Sequence, residues 1–213
     1  MSVLTRRLFA GTTVTLMALS PVLLNAQSAS AFPKGDSVIG FDYKIDATTH
    51  IKKSDQTMTV KGGKFHGEVD FDTAQLRGSI TLPDSQSPIA VGGIGLATVT
   101  ARTIPTAPVT GKINLNNFKV TSTSHFLLKI VSVYANTPSG LPIPLPKVNL
   151  VGNNCQTVAP INVTMSGIAH LGAPSTFKGV FSIPPLANCQ GFENALNQLI
   201  PGPGNTFTAT AKP

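Results

Sequence analysis

Apolar and polar residues alternate one for one through much of this chain, and that period leaves few folds open other than antiparallel sheet. Over residues 41–51, Phe41, Tyr43, Ile45, Ala47 and Ile51 fall on one face; Asp42, Lys44, Asp46, Thr48 and His50 fall on the other. Residues 64–72 repeat the pattern, with Phe65, Val69 and Phe71 opposed to Lys64, His66, Glu68, Asp70 and Asp72. Leu76, Ile80 and Leu82 then share a face. A side-chain period of two gives each strand one buried and one wet face. Gly62-Gly63 reads as a break between strands, and residues 83–95, with Pro83, Pro88, Gly92, Gly93 and Gly95, as a loop. Further strand patterns cover residues 96–104, 111–123 and 125–135. The last is apolar on both faces and reads as a strand through the centre of the core. Prolines in the stretch 137–148 rule out a central strand, leaving an edge segment with Leu141, Ile143 and Leu145 on one side.

One stretch breaks the period. In residues 189–205, Phe192, Ala195, Leu196, Leu199 and Ile200 recur at helical spacing. Glu193 lies in the first turn, where the helix dipole favours an acid, and Pro201-Gly202 stops the run. A helix this short is unstable alone in water, so its apolar stripe must pack on the sheets. The expected fold is all-β: an antiparallel two-sheet sandwich or flattened barrel with one short C-terminal helix. Phe192, Leu196, Leu199 and Ile200 then either plug an end of the fold or form a lid over an apolar ligand site.

The first 31 residues read as a signal peptide outside the fold. Arg6 and Arg7 precede an apolar stretch, and Ala29-Ser30-Ala31 has the small-residue pattern of a cleavage site. Thr5 to Phe9 fits both a twin-arginine export signal and an ordinary secretory one. Cleavage near Ala31 leaves 32–213 as a single secreted β domain in an extracytoplasmic compartment. No segment of that mature part is long and apolar enough to be a membrane span; residues 126–135 are too few and include Lys129. Removing Arg6 and Arg7 from the sixteen basic residues leaves fourteen against nine acids. This excess is scattered, which fits loose attraction to an acidic cell-wall surface and argues against a nucleic-acid groove. Charged residues are 12% of the chain, about half the usual share, so Thr, Ser, Asn and Gln must cover the wet faces.

The two cysteines, Cys155 and Cys189, form a disulfide if the chain is exported. The closest approach to a metal site is His66, Glu68, Asp70 and Asp72, which share one strand face. The plainer account of those four is cross-strand ion pairing on a solvent face, with Arg77 opposite. His50, His125 and His170 stand apart, and Ser124 and His125 point to opposite faces. No nucleophile motif, zinc motif or phosphate loop occurs. The chain has no Trp and only two Tyr, against the aromatic platforms of sugar or single-strand binders. No cofactor is implied, and the chain is not expected to be an enzyme.

The C-terminal part, with "SIPP" at 182–185, Cys155, Cys189 and "PGPGN" at 201–205, resembles a group of uncharacterised secreted β-rich proteins of high-GC Gram-positive bacteria. That resemblance implies export and the disulfide, and no catalytic residues. The strand pattern is also loosely similar to half-barrel lipid-carrier lipoproteins, but the lipid-attached cysteine of that group is absent. The expected function is a non-enzymatic secreted binding protein for an apolar or lipid-like ligand. The alternative is a structural or cell-wall-associated protein with a solid core.

Overall fold

The computed structural model describes residue 32 and residues 37–91, 94–136, 147–170 and 172–213. The signal segment 1–31 and the Leu141–Leu145 edge segment lie outside the described residues. Eleven strands and one helix follow in the order β1 (Val38–Ile51), β2 (Gln56–Asp70), β3 (Gln75–Thr81), β4 (Ser85–Val91), β5 (Ile94–Asn114), β6 (Lys119–Ala135), β7 (Gln156–Thr157), β8 (Ile161–Ile168), β9 (Ser175–Ile183), β10 (Leu186–Ala187), α1 (Glu193–Leu199) and β11 (Gly202–Lys212).

Eight of the strands close on themselves. The order β6-β8-β9-β11-β1-β2-β3-β5 returns to β6 through the β5–β6 pairing, and every pairing is antiparallel. The chain is therefore a closed barrel rather than a two-sheet sandwich. Closure leaves these eight strands no long free edge, which an open sheet of this alternation would expose. The alternation has the expected consequence: Ile45, Ala47, Val69, Leu76, Val163, Phe207 and Ala209 point inward and are buried, while Asp42, Lys44, His66 and Lys178 are exposed.

Two expectations from the sequence give way. Gly62 does not end a strand. It sits inside β2 with φ +76°, where the register against β1 shifts opposite Asp46, and its N–H donates to Asp46 Oδ1 at 3.1 Å. A glycine bulge of this kind bends a long strand, as a closed barrel requires. Most of the expected loop at 83–95 is strand instead: β4 pairs with β5 from Ser85↔Ala101 to Val91↔Ile94. Pro88 is tolerated because β4 is the last strand in the sheet order, where a missing donor costs nothing. Asp84, in the connection from β3 to β4, takes a bidentate ion pair from Arg102 of β5 at 2.7 Å. That pair holds the Asp84 carboxyl below its usual range.

β5 and β6 outlast the barrel. Their upper parts leave it and, with β4, β7, β10 and α1, enclose a second apolar cluster: Val99, Ala101, Ile130, Val133, Val151, Leu186, Leu196 and the Cys155–Cys189 disulfide. Strand 125–135 thus serves two cores, with Phe126 facing the barrel, Ile130 and Val133 in the second cluster, the lobe, and Leu128 packed against both. α1 is shorter than the apolar spacing suggests. Asn188, Gln190 and Gly191 take positive φ, so the chain turns tightly after Cys189 before the helix begins.

Candidate functional site: an apolar chamber in the barrel

An eight-stranded barrel has an interior that side chains just fill, or that holds one small ligand where they are small or lean aside. Both situations occur here. The half nearest the lobe is packed around Ile51, Ile161, Val163, Phe181, Ile183 and Phe207, and keeps a void of only ≈ 80 Å³. The other half holds a chamber of ≈ 290 Å³. Ile80 and Met165 line both spaces and separate them.

Local sequence explains the emptiness. β11 brings Ala209 and Ala211 inward, and β2 and β3 bring Gly67 opposite Gly78. A Cβ at Gly67 would lie 2.6 Å from the Phe65 ring and 2.8 Å from that of Phe41; one at Gly78 would lie 2.7 Å from Phe65. The rings of Phe41 and Phe65 therefore occupy the space that side chains at these glycines would take, and with Tyr43 they form a tilted aromatic cluster in the chamber wall. Among the described residues, Tyr43, Ser122 and Ser175 are the only lining residues with polar side chains, and no charged one lines the chamber. Ser175 is engaged at its own loop, where its Oγ accepts from the His170 N–H at 2.8 Å.

The chamber reaches the surface at the barrel end formed by the start of β1, the β2–β3 turn, the β5–β6 turn and the end of β8. Ile39, Phe71 and Phe118 line it there and are 57%, 38% and 39% exposed. Two backbone bonds tie this rim together: Phe71 N–H to the Ser37 carbonyl at 3.0 Å and Ala169 N–H to the Phe118 carbonyl at 2.9 Å.

The helix residues lie elsewhere. Leu196 is buried against the disulfide, Ile200 packs between the two clusters, Leu199 is half-buried and Phe192 is 41% exposed. None of the four lines either space, so the open chamber is not the one a helical lid would cover. The disulfide joins Cys155 to Cys189, and both residues are wholly buried.

The His66, Glu68, Asp70 and Asp72 set does not converge on a metal. His66 Nδ1 contacts Asp42 Oδ1 at 2.9 Å. Glu68 faces Arg77 across the β2–β3 ladder, and its Oε2 accepts the Phe32 N–H at 3.1 Å, while Arg77 stacks 4.4 Å over the Phe32 ring. Asp70 caps the turn, accepting from Thr73 Oγ1 at 2.7 Å and from the Asp72 N–H at 2.9 Å, and these bonds hold its carboxyl below the usual range. Asp72 is exposed within the turn. Among the described residues no group of three or more such side chains is placed to hold a metal ion.

Alternation placed Phe41, Tyr43, Ile45, Phe65, Val69, Phe71, Leu76 and Ile80 of the chamber lining on apolar strand faces. What it did not mark was which inward positions are too small to fill a barrel, although Ala209, Ala211, Gly67 and Gly78 carry that signal. Among the described residues no helix is long and apolar enough to cross a membrane. No protein family, characterised protein or solved structure matches the chain.

Proposed function

We propose that this protein is a non-enzymatic, extracytoplasmic binding protein that holds an apolar, lipid-like molecule inside its barrel. The observation that carries this reading is the chamber of ≈ 290 Å³, walled by apolar side chains and free of charge. An apolar cavity of roughly half that volume, about 150 Å³, stays dry and takes up benzene. The ligand part inside the barrel is then a hydrocarbon chain or ring system, since a buried charge would find no partner there. The disulfide is consistent with export into an oxidising compartment. The chamber also weighs against a solid-core structural or cell-wall role, which would need both halves of the barrel packed like the half at the lobe.

The test is organic extraction and mass spectrometry of the exported protein, combined with titration of a fluorescent fatty-acid analogue. Saturable, one-to-one uptake is expected, and Ala211→Phe abolishes it. Uptake that is absent, or unchanged in Ala211→Phe, sinks the reading.

A further inference from the structure

Resting on the binding reading above, we infer that the open rim of the barrel is a docking surface for an anionic lipid bilayer, from which the apolar ligand enters the chamber. Five of the exposed large apolar side chains gather at this end. Ile39, Phe71 and Phe118 line the mouth, Leu115 shares the β5–β6 turn with Phe118, and Ile168 pairs with Lys119 beside it. Apolar groups of this size, grouped around an opening and exposed to water, mark an interaction site rather than scattered surface residues. The mouth and the patch are continuous, so a hydrocarbon leaving the chamber would meet the patch before it met water.

Charge selects the occupant. Lys112 and Lys119 are exposed on the two strands that flank the turn. Among the described residues, Asp70 is engaged in its turn, Glu68 accepts the Phe32 N–H opposite Arg77, and Asp72 is exposed. Cations beside an apolar rim match anionic headgroups over acyl chains, the arrangement of proteins that lie on a bilayer. The barrel wall below is polar on its outer face, with Asp42, Lys44, Thr48 and Lys178, the reverse of the apolar band of a membrane-spanning barrel. The molecule therefore rests on the bilayer by its rim and does not insert its wall.

Sedimentation with vesicles tests this, using the full mature chain and either pure phosphatidylcholine or a mixture with one-third phosphatidylglycerol. Wild-type protein is expected to bind the mixed vesicles at least tenfold more tightly than the neutral ones, with affinity falling as salt rises. The pairs Leu115→Ser/Ile168→Thr and Lys112→Gln/Lys119→Gln each weaken that binding at least tenfold. None of these four residues lines the chamber, so uptake of the fluorescent fatty-acid analogue in vesicle-free solution stays at the wild-type level. Probe uptake without vesicle binding, or vesicle binding indifferent to both pairs, overturns the docking surface. Vesicle binding that responds to both pairs, with no probe uptake, supports the surface and fails the chamber instead. A concentration-dependent dimer abolished by Leu115→Ser makes a second copy the occupant and also overturns the proposal.

Discussion

The two ends of the barrel are built from the same strands and solve opposite problems. At the lobe end, unsatisfied backbone is tied down by side-chain amides. Asn205, 1% exposed, accepts the Lys52 N–H at 3.0 Å and donates to the Gly202 carbonyl at 2.8 Å. Asn197 both accepts from and donates to the backbone of Leu186, at 2.7 and 3.0 Å, joining α1 to β10. Asn149 fastens residues 147–152 to β6 through Val131 and Val133. The disulfide then locks this assembly. At the open end the turns are short and exposed, and apolar side chains face water around an unfilled space. A fold that places its cross-link, buried amides and helix at one end can leave the other end empty and accessible.

The largest expected effect breaks that division at the lobe. Cys155→Ala with Cys189→Ala releases a cross-link between positions 34 apart. The loss is expected to be about 4 kcal/mol from the added freedom of the unfolded chain. Denaturant unfolding measures it. In the fraction that remains folded, probe uptake by the chamber stays intact; loss of uptake in native protein would show that the two ends are not independent.

Next comes Asn205→Ala. Its carboxamide is buried, and removing it strands the Lys52 N–H and the Gly202 carbonyl. The expected cost is about 2–3 kcal/mol, read as a lower unfolding midpoint at unchanged slope. A cost under about 0.5 kcal/mol, the range of an ordinary surface substitution, would mean that water replaces the amide freely and that this end is less closed than its burial indicates.

The sequence carried these two ends unequally. Period-two alternation was enough for the all-β class and for the inward faces of β1, β2 and β3, and helical spacing was enough for a helix near residue 193. Cysteine count and segment 1–31 together were enough for the Cys155–Cys189 bond. Alternation cannot tell a sandwich from a barrel, because that depends on whether the first and last strands of the sheet order meet. Here β5 meets β6, a pairing fixed by the turn 115–118 inside what reads as one continuous strand pattern. Strand β4 was hidden by Pro88, because proline excludes only central strands. The chamber was hidden because an inward Ala or Gly looks the same in a pattern whether its neighbours fill the space or lean away from it. The helix drew attention to the end away from the chamber for a related reason: an apolar stripe states that it is buried, not against what.

A matched pair of substitutions probes the difference in packing directly. Ala47 and Ala211 are both inward, 2% and 4% exposed, on the neighbouring strands β1 and β11. Only Ala211 lines the chamber. Ala47→Phe forces a ring into filled space and is expected to cost about 1–3 kcal/mol. Ala211→Phe puts its ring into the void, with a stability change within about 0.5 kcal/mol of zero and loss of probe uptake. Equal costs at both positions would mean that the chamber closes in solution.

The smallest effect concerns acid. Glu193 Oε1 accepts the Cys189 N–H at 2.6 Å at the start of α1. Its own backbone N–H and that of Cys189 hold the carboxyl below the ordinary glutamate range. The folded protein therefore favours the ionised form, and the stabilisation is complete above the unfolded-state value. It is lost as pH falls through that value to the lowered folded one. Glu193→Gln keeps an oxygen that can accept these bonds but not the charge. It is expected to unfold more easily than wild type at neutral pH, with the gap closing on acidification. Unfolding midpoints from pH 7 to pH 3 measure the gap, and one that stays constant would refute the assignment. Among the described residues the chamber lining carries no carboxylate, ammonium or imidazole. Probe affinity at the other end of the barrel should then stay level over the pH range in which the lobe loses its glutamate, as long as the protein remains folded.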